Sequence, residues 1–101
     1  MSLDRKFSAD GKVLTIFVGD KFDFDKVQDF RLAYSASNEG AGSIIIDLKK
    51  TEYMDSSALG MLLNMQKSLK DSVTSFKIIN CRPQVLKILN IARFAKKFEI
   101  S

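Results

Sequence analysis

The run Ile44-Ile45-Ile46, with Leu48 two residues beyond, constrains the fold of this chain more than any other stretch. Three consecutive β-branched side chains read as a strand buried on both faces, as in a parallel or mixed sheet covered by helices. A polar connector, 49–53, comes next. Asp55-Ser56-Ser57 then stands directly before an apolar-periodic segment that opens near Ala58. Asp and Ser are favoured at helix N-caps because their side-chain oxygens accept from backbone N–H groups that lack a partner within the helix. The stretch therefore predicts two hydroxyls and a carboxylate at the start of a helix, just after a central strand. In open α/β sheets, function concentrates at that end of the strands.

The flanking sequence fits the same plan. Residues 5–9 and 12–18 read as two strands joined by Asp10-Gly11, a hairpin turn signal. Both faces of the second are mostly apolar, which places it inside the sheet. A first helix is expected from about Phe24, capped by Asp23 or Asp25, with Asp25 and Gln28 at capping-box spacing. Its buried stripe is Val27, Phe30 and Tyr34, and Gly40 suits a left-handed C-terminal position. Phe22 and Phe24, on either side of Asp23, read as core. The second helix runs from Ser56 or Ser57 to Leu69. Leu59, Leu62, Met65 and Leu69 form its stripe, widened by Ala58 and Leu63. Residues 75–79 read as a strand, Pro83 opens a third helix with Val85, Ile88 and Leu89 inward, and 98–100 is a last short strand. The pattern β-β-α-β-α-β-α-β predicts a single small α/β domain over residues 1–101. Its mixed sheet has four to five strands packed by three to four helices.

Composition removes several function classes. No aliphatic run can span a bilayer, and the first residues lack the apolar segment of a signal peptide, so a cytoplasmic location is expected. One cysteine, Cys81, rules out an internal disulfide and reads as an apolar filler. With no histidine and one thiol, no metal or other cofactor is expected. The net charge of +4 comes from scattered Lys and Arg. Their one local cluster, Arg93, Lys96 and Lys97, carries no nucleic-acid motif, so direct DNA binding is not expected.

The residues 55–57 admit three readings. They can serve only as a helix cap. As an enzyme site, Ser56 would need a general base; there is no histidine, no G-x-S-x-G elbow and no S-x-x-K motif, so the chain is not expected to be an enzyme. As a phosphorylation site, Ser56 would present its hydroxyl at a helix N-terminus, whose orphan N–H groups and dipole tolerate an anion.

Ile44 to Leu48, followed by Met54-Asp55-Ser56-Ser57-Ala58-Leu59-Gly60, resembles the signature of STAS domains, named for sulfate transporters and anti-sigma factor antagonists. In the antagonists a strand and a short loop precede M-D-S-S/T-G-L-G at a helix start. Ser56 matches the serine that is phosphorylated and Ser57 the second hydroxyl position. Ala58 stands where the family has glycine. Gly19 with residues 20–23 is similar to the family's G-x-x-D segment, with one residue more, and the order of elements from Phe76 to Phe98 also matches. The resemblance implies a stand-alone, bacterial, phosphorylation-switched binding module in signal transduction and transcription regulation. Unphosphorylated, it would bind a cognate serine kinase of the anti-sigma factor type. Phosphorylation at Ser56 would release that partner, and a serine phosphatase would restore the binding form. No membrane partner is implied. Asp23, Met54, Asp55, Ser57, Ala58, Leu59 and Gly60 would contact the partner or support the phosphosite, with Tyr53 or Met54 as an exposed anchor. The alternative is an unmodified STAS-like scaffold or a sensor of a small ligand or nucleotide.

Overall fold

A computed structural model describes residues 3–35 and 41–101. Strands β1 (Leu3–Phe7) and β2 (Val13–Val18) form an antiparallel hairpin. Its turn closes through Ser8, whose N–H donates to the Val13 carbonyl at 2.8 Å, and Gly11 takes φ +73°, a conformation natural for glycine. A two-residue strand β3 (Lys21–Phe22) and a 3-10 turn (Phe24–Lys26) lead into helix α1 (Val27–Ser35). Next along the chain are strand β4 (Ser43–Asp47), a two-residue β5 (Tyr53–Met54) and helix α2 (Ser56–Leu69). Strand β6 (Ser75–Ile79), helix α3 (Pro83–Ile91), a second 3-10 turn (Phe94–Lys96) and β7 (Glu99–Ile100) complete the chain.

The main sheet has the order β1-β2-β4-β6-β7, parallel except for the β1–β2 pair. The isoleucine run thus forms the middle strand, as its composition requires. Each crossover from β2 onward steps one strand in the same direction. Right-handed connections then gather the three helices on one face. The burial pattern agrees: Leu14, Ile16, Ile44, Ile46, Leu48 and Ile78 are fully buried on that face. The far face carries Val13, Thr15, Ile45 and Ile79 half-buried and Phe17 exposed. The expectation of a strand covered on both faces is therefore corrected. β4 is central within the sheet but helices cover it from one side only.

Helix α2 contributes Ala58, Met61, Leu62, Met65 and Leu69 to the core, while Leu59 is half-buried and Leu63 is exposed. The expected stripe included Leu59 and Leu63 and missed Met61. Every position in question is apolar, so periodicity alone does not choose the angle at which the helix rolls onto the sheet. In α1, Phe30 and Tyr34 are buried as expected, Val27 is half-buried, and Ala33 joins them. Gly40 lies outside the described residues. Phe22 is fully buried and meets the Phe30 ring at 5.2 Å between centroids. Phe24, read with it as core, is instead 72% exposed.

Candidate functional site

The site lies where the strands end and the helices begin, and two adjacent loops build it. Strand β3 pairs in parallel with β5, Lys21 with Tyr53 and Phe22 with Met54. The Glu52 and Tyr53 N–H groups both donate to the Asp20 carbonyl, at 2.8 and 3.1 Å, and the Asp55 N–H donates to the Phe22 carbonyl at 3.4 Å. This two-stranded pairing locks the loop before α1 to the loop before α2. It was not visible in the sequence, because two residues are too few to show a strand period.

Each loop ends in an aspartate that caps the adjoining helical turn. Asp23 accepts from the Asp25 N–H at 3.1 Å and caps the 3-10 turn. Asp25 falls inside that turn, so of the two expected caps it is Asp23 that serves. Asp55 caps α2, its Oδ1 accepting from the Ser57 and Ala58 N–H groups at 3.0 and 3.3 Å. The same oxygen accepts from the Ser57 hydroxyl at 2.5 Å. The Ser57 hydroxyl bond is the main cause that holds the Asp55 carboxyl below the usual carboxylate range; burial opposes it, and the backbone bonds from Ala58 and Ser57 add to it.

The two serines consequently differ. Ser57 is half-buried and its hydroxyl is committed to Asp55. Ser56, the first residue of α2, is exposed, and no hydrogen bond engages its hydroxyl among the described residues. Gly60, one turn on and on the same outward strip, is exposed, and an added methyl there would meet nothing within 4 Å. Leu59 is half-buried beside it. Ala58 is fully buried, so its methyl points into the core and leaves the approach to Ser56 open. Met54 is buried as well, whereas Tyr53 is 51% exposed. Of the expected residues, the structure thus brings Asp23, Asp55, Ser56, Ser57 and Gly60 to one end of the domain and sets Met54 and Ala58 beneath them.

Five polar residues that carry no local sequence motif hold the connector in place. Thr51 is fully buried, and its hydroxyl donates to the Gly19 carbonyl at 2.9 Å and lies 3.3 Å from that of Val18. Asp47 is buried at the end of β4 and accepts from the Lys49 N–H at 2.9 Å and from the Asn80 side-chain amide at 3.2 Å. Asn80 adopts φ +58°, which asparagine tolerates better than most residues. Arg82 and Gln84, at the start of α3, donate to the carbonyls of Lys49 and Glu52. An aspartate closing a β-branched run and an asparagine just after a strand were the available signals. Cys81 is half-buried, and burial, followed by the nearby Asp47 charge, pushes its thiol up. A thiol of that kind is a poor nucleophile. The described residues contain no group of three or more potential metal ligands. No helix among them is long and apolar enough to cross a membrane.

The family model for the STAS domain matches residues 6–101. The chain belongs to the STAS family. It is 43% identical, over the full length of both chains, to a STAS-domain containing protein of Pseudomonas aeruginosa. The fold superposes on the anti-sigma factor antagonist SpoIIAA in its unphosphorylated form with a TM-score of 0.76 at 18% identity, covering 98% of this chain and 86% of that one. The phosphorylated form of the Bacillus SpoIIAA gives 0.73 at 17%, covering 98% and 90%. An anti-sigma-factor antagonist (STAS) domain protein from Planctomyces limnophilus gives 0.79 at 15%, covering 97% and 87%. The mixed five-stranded sheet with three helices is the STAS fold of these neighbours.

Proposed function

We propose that this STAS domain is a protein-binding module switched by phosphorylation of Ser56. The observation that carries the reading is the contrast between the two serines. Ser56 offers a free, exposed hydroxyl at the first position of α2, while the Ser57 hydroxyl is tied to the capping carboxylate. In the unmodified state the module binds a serine kinase that doubles as an anti-sigma-type regulator. In the phosphorylation step, Ser56 Oγ attacks the γ-phosphorus of ATP, the bond to the β,γ-bridging oxygen breaks, and ADP leaves. The serine proton passes to a base on the kinase. A phosphatase returns the hydroxyl by hydrolysis, releasing inorganic phosphate. This chain supplies the acceptor and its positioning and has no catalytic residue of its own.

The switch is a matter of charge. A phosphoserine carries nearly two negative charges, and here it would stand next to the Asp55 carboxylate. Two unit charges about 4 Å apart at an effective dielectric near 20 repel by roughly 4 kcal/mol before screening. The N-terminus of α2 offsets part of this in the free domain. A partner that covers the site removes the water that screens the rest. A net penalty of about 3 kcal/mol would weaken binding about 150-fold. Affinity capture from the native cell tests the reading, with Ser56→Ala and Ser56→Asp as paired baits. A serine kinase that Ser56→Ala retains and Ser56→Asp loses is the expected result. Equal recovery on both baits would contradict the switch.

A further inference from the structure

Leu63 is left on the flank of α2 rather than in the core, and it lines a cleft of about 780 Å³. Gln66, Lys67 and Lys70 share its wall, at the i+3, i+4 and i+7 positions that put them on one strip of the helix with Leu63. Thr74, Ser75 and Phe76, at the start of β6, form the opposite wall, and Lys97 and Glu99 close it. The cleft exists because β7 is short. That strand pairs with Lys77 and Ile78, so the sheet ends there before it reaches Ser75 and Phe76. Buried Val73 and half-buried Phe76 line the floor, and the Phe76 ring meets Phe98 edge-on at 6.0 Å between centroids. The Gln66 side-chain amide donates to the Lys97 carbonyl at 2.5 Å, which ties the two rims together. Ser56 lies roughly 10 Å back along α2 from Leu63, and no residue of its site lines the cleft.

Both rims of the cleft are positive. Lys67 and Lys70 stand on the α2 side and Lys97 on the other, all three exposed, and no ion pair engages their ammonium groups among the described residues. The carboxylate in the lining, Glu99, is paired with Lys77 at 3.7 Å. Asp71 follows Lys70 in the chain but does not line the cleft. With Lys77 and Asp71 counted, four lysines stand against two carboxylates. Between the rims the floor is apolar. The complement of such a cleft is an apolar side chain with carboxylates on both sides. Nucleic acid is a poorer match, since no arginine lines the cleft and the aromatic in it, Phe76, is half-buried rather than offered as a stacking platform. We propose that this cleft docks a short acidic segment of a protein partner, an apolar residue flanked within one turn by Asp or Glu. The apolar residue enters between Leu63 and Phe76, and the carboxylates meet Lys67 and Lys70 on one rim and Lys97 on the other. The floor supplies affinity, and the lysines speed the encounter and fix its register. The proposal does not rest on the Ser56 switch.

The test pans a phage library of random short peptides on the purified wild-type protein. Selected peptides are synthesised with a fluorescein label, and their affinities are measured by anisotropy. The wild type is compared with the double variant Lys67→Glu/Lys70→Glu, with Lys97→Glu and with Leu63→Ala. A second double variant, Lys6→Glu/Lys12→Glu, makes the same change in net charge at two exposed lysines of the β1–β2 hairpin and serves as the control. The selected peptides should carry Asp or Glu around an apolar residue. Each cleft variant should bind them about tenfold more weakly or worse, and the control should stay within about twofold of wild type. Urea midpoints of the lysine variants should match wild type, because all the exchanged lysines are exposed. Equal weakening by the two double variants would reduce the effect to overall charge and overturn the proposal. Peptides that bind the cleft variants as tightly as wild type, peptides without acidic residues, or a library that yields no binder would overturn it too. A labelled oligo-dT strand that binds more tightly than the peptides, and loses its affinity in the Lys67→Glu/Lys70→Glu variant, would replace it with a nucleic-acid site.

Discussion

Thr51→Val tests whether the buried hydroxyl holds the connector beneath the site. Valine keeps the branched shape and removes only the donor. In the folded protein the Thr51 hydroxyl is fully buried and donates to the Gly19 carbonyl at 2.9 Å. A hydrogen bond of this kind contributes about 1 kcal/mol net, and leaving its part-buried acceptor unmet raises the cost to about 1–3 kcal/mol. For a chain of 101 residues that is a fall of roughly 5–15 °C in Tm, out of a total stability of about 5–15 kcal/mol. Urea titration followed by far-UV circular dichroism measures it, with Thr51→Ser as the companion variant. Serine retains the donor and loses one methyl, so it should recover part of the loss. A Thr51→Val variant within about 0.3 kcal/mol of wild type, well inside the range of ordinary surface changes, would show that the hydroxyl does not hold the connector.

Leu62→Ala should cost about 2–5 kcal/mol, because Leu62 is fully buried where α2 meets the sheet; a denaturant titration showing a loss below about 0.5 kcal/mol would mean that this helix face is not the packed one. Gly60→Ala should raise stability by about 0.5–1 kcal/mol, since Gly60 is exposed inside α2 with open space where a methyl would go; a lower urea midpoint would contradict that placement. The Asp55 carboxyl is depressed in the folded protein by its bond from Ser57. Its contribution is therefore present above the unfolded carboxylate pKa and is lost as pH falls through the folded one. Asn still caps a helix but does not titrate, so Asp55→Asn should lose stability less steeply than wild type below about pH 4. Parallel slopes of urea midpoint against pH would refute the assignment.

Much of the fold was legible because local signals agreed with it. The isoleucine run, the Asp10-Gly11 turn, Pro83 at the first position of α3 and Asp55 before Ser56 each state a backbone conformation in the residue itself. What stayed hidden depends on partners distant in sequence. Ile45 has the same composition as its neighbours, and only the one-directional order of the crossovers leaves its face without a helix. Met61 and Leu63 are both apolar, so the roll of α2 appears only once it is packed. Phe24 looks like Phe22 in sequence, but Phe22 ends β3 and is buried, whereas Phe24 opens the 3-10 turn and is exposed. The site was half legible for the same reason. The cap and the serine pair are local, whereas Thr51, Asp47 and Asn80 act across separations of more than thirty residues.

The central claim is that Ser56, and not Ser57, receives the phosphate. Intact mass and peptide mapping of protein recovered from the native cell, for wild type, Ser56→Ala and Ser57→Ala, test it most directly. The account predicts one added phosphoryl group on Ser56 in wild type and in Ser57→Ala, and none in Ser56→Ala. Phosphate retained in Ser56→Ala, or abolished by Ser57→Ala alone, would contradict it.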